Sequence, residues 1–174
     1  MLDRPSAARF LLQNGADPVI GDKSDRTPLH LAIVEGILKS AALLLKATRQ
    51  LDKTDHEQQS YLHVAAFSGE SFLVETLVEA GVPIDQQDIR GRTWLHAAII
   101  ACDTKIACFL VLKGANVDLV DTDGCSALHH AAVLGYDNLI PTLTKTGDKQ
   151  LRNKDGKTPM EVAGLSGHRQ MPWE

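Results

Sequence analysis

His30, His63, His96 and His129 lie 33 residues apart, and each follows a hydroxyl and an aspartate at fixed intervals: Asp22, Thr27, His30; Asp55, Ser60, His63; Asp88, Thr93, His96; Asp121, Ser126, His129. An acid, a hydroxyl and an imidazole are the ingredients of nucleophilic acyl transfer, where the base takes the proton of the attacking oxygen. A catalytic centre, however, has no physical reason to be copied once per structural unit. The recurrence points instead to residues that build the unit, so no catalytic residue and no enzyme is expected.

Metal binding meets a geometric obstacle. Equivalent side chains on stacked helices are separated by roughly 8–10 Å, whereas zinc needs nitrogen ligands at about 2.0–2.1 Å. The adjacent His129 and His130 diverge by about a quarter turn on a helix of 3.6 residues per turn and do not chelate together. Asp121-Thr122-Asp123-Gly124 looks like the start of a calcium loop but lacks its closing glutamate, and reads as a hairpin turn. No phosphate-binding G-x-x-x-x-G-K-[ST] phrase occurs. Neither metal nor cofactor is expected.

The elements that carry these residues follow from the same period. Thr27, Ser60, Thr93, Ser126 and Thr158 stand as N-caps, whose hydroxyls accept from unpaired N–H groups of a first helical turn. Pro28 and Pro159 follow where proline sacrifices no hydrogen bond, and Tyr61, Trp94 and Ala127 take that place elsewhere. Gly36, Gly69, Gly135 and Gly167 stop these first helices through a left-handed residue, with Cys102 breaking the pattern. A second helix follows, as in Ser71 to Glu79, where Leu73, Val74, Leu77 and Val78 form one apolar stripe. Gly15, Gly81, Gly114 and Gly147 end the second helices, and Thr48 replaces glycine once, predicting a looser turn. Leu11, Leu44, Leu77, Leu110 and Leu143 keep the period, and Ala32, Ala65, Ala98 and Ala131 are small where neighbouring helices must approach.

A 33-residue beat with the phrases TPLHLA, SYLHVA, TWLHAA and SALHHA resembles the ankyrin-repeat family over almost the whole chain. The resemblance implies an all-α fold, an ankyrin-repeat α-solenoid of paired helices with short β-hairpin loops and partial repeats at both ends. The expected limits are a partial repeat over 1–21 (second helix and loop), repeats over 22–54, 55–87, 88–120 and 121–152, and a truncated repeat over 153–174. Glu161 stands where the last histidine belongs, and the spacing from Ser126 to Thr158 is 32. The end segments MLDRP and HRQMPWE are too short to read as caps, which suggests an excerpt of a longer array. Asp52, Asp85 and Asp118 occupy positions where the family carries hydroxylation targets, but they read as satisfying turn backbone groups.

An apolar fraction of 44% with 23% charged residues excludes disorder for the bulk of the chain. A net charge of -4 without a basic run argues against nucleic-acid partners. Three cysteines without C-x-x-C spacing and a start, MLDRPSAARF, without an apolar signal core fit reduced thiols in the cytoplasm, with the nucleus as the alternative. No stretch approaches the roughly 18 apolar residues of a membrane span, so direct membrane insertion is not expected.

By the resemblance, a protein or peptide partner touches the hairpin tips and the concave face of the first helices. The tip residues are Lys23, Ser24 and Arg26; His56, Glu57 and Gln59; Ile89, Arg90 and Arg92; and Thr122, Asp123 and Cys125. They change chemistry from unit to unit because packing does not constrain them. Val34, Phe67, Ile100 and Val133 share one register before the terminating position, accompanied by Glu35, Ser68, Ala101 and Leu134. As an exposed strip they would take apolar anchors of the partner, with Phe67 central and Arg26, Arg90 and Arg92 taking its acidic residues; inter-repeat packing explains the same apolar pattern. Tyr61 and Trp94 are further candidates for the surface, with partial burial the competing expectation. The reading is a non-enzymatic scaffold or adaptor, expected to be monomeric. The alternative is a regulatory or substrate-docking segment of a larger multidomain enzyme or channel.

Overall fold

The structure is a computed structural model that describes residues 5–68, 71–168 and 170–173, and the side chains of residues 66–71 lie outside that description. The described residues form helices joined by turns, with isolated antiparallel bridges in place of strands: Thr54 with Ser60, Gln87 with Thr93 and Val120 with Ser126. Three of the expected hairpins are thus each closed by one bridge. The chain divides into two compact units, residues 1–83 and 84–174.

The first unit contains α1 (Pro5–Gln13), α2 (Pro28–Val34), α3 (Leu38–Ala47), α4 (Tyr61–Ser68) and α5 (Ser71–Glu79). Here α2 packs on both α3 and α4, α1 on α3, and α4 on α5. Its core is built from Leu29, Ile33, Ala41, Leu62, Ala65, Leu73, Val74 and Leu77. The second unit contains α6 (Trp94–Ile100), α7 (Thr104–Leu112), α8 (Ala127–Leu134), α9 (Ile140–Thr144) and α10 (Pro159–Leu165). There α8 lies between α6 and α10, and α7 and α9 back α6 and α8. Leu95, Ala98, Ile99, Ile106, Leu110, Leu128, Ala131, Ile140 and Leu143 fill it. The alanines of the repeat, Ala32, Ala65, Ala98 and Ala131, are all buried, as close helix stacking requires.

Helix ends depart from expectation at informative places. Gly36, Gly135 and Gly167 adopt the left-handed conformation, while Gly69 lies outside the described residues. Cys102 keeps that conformation without being glycine, at φ +62°. Thr48 ends α3 in an extended conformation. Gly147 has no positive φ. It is needed for space, since a Cβ there would meet Val117 Cγ2 at 2.8 Å and Leu143 O at 2.9 Å.

Residues that follow α10 pack back on the second unit. Met171 is 6% exposed, and Lys149 Nζ donates to Trp173 O at 2.7 Å. The His168 ring covers the helix stop at Gly135, where a Cβ would meet it at 2.6 Å.

Candidate interaction surface

Each hairpin tip is nucleated by one residue of the period. Asp22 Oδ1 accepts from the N–H groups of Ser24 and Arg26, Asp55 Oδ1 from Glu57 and Gln59, Asp88 Oδ1 from Arg90 and Arg92, and Asp121 Oδ1 from Asp123 and Cys125. Asn153 does the same for Asp155 and Lys157. This is the local side-chain-to-backbone bonding that makes these residues turn formers. Neighbouring tips are then laced together by backbone bonds, His56 N to Ser24 O in the first unit and Thr122 N to Arg90 O and Lys154 N to Asp123 O in the second. Asp85 and Asp118 add side-chain laces to Asn116 N and Asp148 N.

The periodic histidines tie tips to helices. Nδ1 of His30, His96 and His129 accepts from the cap N–H of Thr27, Thr93 and Ser126 at 3.1 Å in each case. An N–H can only donate, so Nδ1 carries no proton and the cap hydroxyls beside it donate as well. Nε2 must then hold the hydrogen, and it donates to the loop of the following repeat: His30 to Gln59 O at 3.3 Å, His96 to Cys125 O at 3.2 Å and His129 to Lys157 O at 3.0 Å. Ser60 N and Oγ meet His63 Nδ1 in the same way. Hydroxyl and imidazole thus close the cap reciprocally in α2, α6 and α8: the Thr27, Thr93 or Ser126 hydroxyl accepts from the backbone N–H of the histidine while the imidazole accepts from the cap N–H. Where Glu161 replaces histidine, its carboxylate accepts from Thr158 N at 2.9 Å and Glu161 N donates to Thr158 Oγ1 at 3.3 Å, closing the cap reciprocally.

Burial pushes the imidazoles of His30 and His129 below their ordinary value, and that of His96 down to about 4, with the neighbouring His130 lowering it further. These rings are neutral structural groups. The cap hydroxyls beside them are buried as well, Thr27 at 1%, Thr93 at 0% and Ser126 at 1% exposure, so a substrate has no access to these oxygens.

Arg26 and Arg92 do not stand ready for a partner. Arg26 lies on Asp22 Oδ2 at 2.8 Å and Arg92 on Asp88 Oδ2 at 2.6 Å, each also through Nε. Four residues of turn place the guanidinium beside the carboxylate that nucleates the tip, and the short path makes this pairing the cheaper one. Gln59 bonds Glu57, and the His56 ring bonds Ser24 O. Lys23, Ile89 and Arg90 are exposed, with Ile89 at 61%. Tyr61 and Trp94 are fully buried, so they add nothing to the surface; the Tyr61 hydroxyl reaches Thr27 Oγ1 at 3.2 Å.

The apolar register is exposed. In the first unit Val34 is 49% exposed beside the exposed Glu35; the side chains of Phe67 and Ser68 lie outside the described residues. In the second unit Ile100 is 41% exposed, Val133 43% and Leu134 41%, on the mutually packed α6 and α8. Leu165 on α10 continues this row at 71% exposure. The 33-residue count misses it, because the step from Ser126 to Thr158 is one residue short; counting from each cap hydroxyl finds it.

A family model for ankyrin repeats in three copies matches residues 49–121 and, in a second placement, 95–171. Among solved structures, the ankyrin repeat domain of Bcl-3, titled a unique member of the IkappaB protein family, is 32% identical with a TM-score of 0.83, over 91% of this chain and 72% of that one. No curated protein matches the chain. With laced tips, helix pairs and imidazole ties repeating from unit to unit, and with the family model spanning well over half of its length, the chain belongs to the ankyrin-repeat family, whose members are protein–protein interaction modules.

Proposed function

We propose that the chain is a scaffold or adaptor that holds a peptide or protein segment on the first-helix row of residues 84–174, Ile100, Val133 with Leu134, and Leu165, flanked by the hairpin tips. The observation that carries this reading is the exposure of three aliphatic side chains in one register, Ile100, Val133 and Leu165, with Leu134 beside them, while the inward neighbours Ile99 and Ala132 are fully buried. The inner face already fills the core. Folding therefore has no use for aliphatic residues on the outer one, and a contiguous exposed apolar strip marks an interaction surface. Lys23, Val34, Glu35, His56 and Glu57 form the corresponding candidate surface of residues 1–83. The repeat limits 22–54, 55–87, 88–120 and 121–152 belong to the same proposal, supported by the tip turn that each of them opens with. A monomer in the cytoplasm or nucleus fits the three unpaired thiols Cys102, Cys108 and Cys125.

The test is affinity capture with mass spectrometry, comparing the wild type with the double substitution Val133→Glu/Leu165→Glu. The expected result is loss of a reproducible set of captured proteins with an unchanged helical circular dichroism spectrum. An unchanged captured set from a folded double variant would remove the row from the binding surface.

A further inference from the structure

We infer that the finger formed by residues 88–92 is the anchor of the binding surface, with Ile89 and Arg90 together recognising a peptide segment in which a carboxylate neighbours an aliphatic or aromatic side chain. This rests on the reading that tips and first-helix row bind a partner.

The five tips expose the same second position, occupied by Lys23, His56, Ile89, Thr122 and Lys154. Ile89 alone is apolar. At 61% exposure on the apex of a turn it contributes nothing to the core, and a polar residue would serve the turn as well.

The backbone beneath Ile89 is held from three directions. Asp88, 5% exposed, takes Arg90 N and Arg92 N on Oδ1 at 2.9 Å each and the Arg92 guanidinium on Oδ2. Gln87 Nε2 donates to Gly91 O at 2.6 Å and to Val120 O at 2.9 Å. Arg90 O accepts from Thr122 N at 2.8 Å. Gly91 at φ +70° lets the neighbouring tip come so near that a Cβ would stand 3.1 Å from Asp121 C. A finger fixed before binding loses little freedom on binding, and that is how a small contact becomes an anchor.

Charge supplies the second half of the recognition. Arg26 and Arg92 are committed to Asp22 and Asp88. The Arg90 guanidinium has no ion-pair partner among the described residues, and its planar fork matches a carboxylate. An apolar side chain and an uncommitted cation, adjacent on one rigid turn, select an acidic group beside an apolar one.

The experiment is selection from a phage-displayed library of random short peptides on the intact chain, with the enriched peptides then measured by fluorescence polarisation. The arms are wild type, Ile89→Ser, Arg90→Gln, Arg90→Lys and Ile100→Glu/Val133→Glu, each checked for an unchanged thermal midpoint. Wild type is expected to enrich peptides pairing Asp or Glu with an aliphatic or aromatic neighbour. Ile89→Ser should weaken those peptides by about tenfold or more. Arg90→Gln should lose the acidic preference, which Arg90→Lys keeps in part, and added salt should weaken wild type but hardly Arg90→Gln. Binding that survives both finger substitutions but fails in the row variant overturns the finger and leaves the row reading intact. Binding that survives the row variant and fails in the finger variants does the reverse. A wild type that enriches no peptide overturns the inference.

Discussion

Each periodic histidine is locked into one protonation state by donors it cannot avoid. In His96, Nδ1 faces the Thr93 N–H, so a second proton on the ring would set donor against donor at 3.1 Å. Burial and the nearby His130 hold the His96 value at about 4, and burial lowers His30 and His129 also. The unfolded chain takes protons near pH 6.5 and the folded chain does not, so the unfolded state binds more protons below that point. Stability should fall as pH drops from 6.5 towards 4, by up to about 3 kcal/mol for His96 alone. Asp88 acts in a lower window. Burial raises Asp88, but hydrogen bonds from Arg92 and Arg90 outweigh it and hold its carboxyl below the ordinary range, so its stabilisation disappears only as pH falls below the unfolded value of 3.8. Urea midpoints at pH 7, 5.5 and 4.5 check this, and a midpoint constant over that range would contradict the neutral-imidazole assignment. A second residue-scale expectation concerns Gln58, which sits at φ +58° where three other tips have Gly91, Gly124 and Gly156 and the first has Asp25 at φ +59°. Gln58→Gly should raise stability by about 1 kcal/mol, read from the urea midpoint, because it relieves a left-handed conformation.

At the level of the helix and its stop, the sequence is legible wherever one residue type has one physical role. Glycine at a left-handed stop, alanine at a close helix contact and aspartate at a tip could be read from the chain, and Leu73, Val74 and Leu77 are buried as their spacing requires. Where a function passes to a different residue, pattern reading fails. Cys102 takes the left-handed stop that glycine takes elsewhere, its thiol lying against the Tyr136 hydroxyl. Arg26 and Arg92 look like free cations in the sequence, and only the turn geometry shows them folded onto their own aspartates. Leu165 escaped because a deletion shifts the count, not because its chemistry is unusual. Two substitutions separate conformation from space at these stops. Cys102→Gly should be neutral or stabilising by up to about 1 kcal/mol, since the conformational gain is set against the lost Tyr136 contact. Gly91→Ala should cost more than about 1 kcal/mol, because it combines a positive φ with tip backbone about 3.1 Å away. Paired denaturation curves decide it, and equal effects of the two would show that the lacing of tips has no energetic weight.

In the whole molecule, stability is a sum of repeat terms and neighbour interfaces, so every exposed end layer is a weak point. In the second unit α10 packs on α8. The tail that follows α10 packs against the same unit. Met171 buries its side chain to 6% exposure, Trp173 O receives Lys149 Nζ, and His168 closes over Gly135. Because repeats communicate through neighbours, loosening this tail should act locally before it acts globally. Met171→Ala is expected to lower stability by about 1–2 kcal/mol, less than the 2–5 kcal/mol of a central core methionine, since a site in a segment without helix can partly collapse. Amide hydrogen exchange gives the sharper measurement. Protection should fall most in Pro159–Leu165 and least in Trp94–Ile100, two layers away. A uniform loss across α6, α8 and α10 would mean that the second unit opens as one cooperative body and that its tail is not a separate closure.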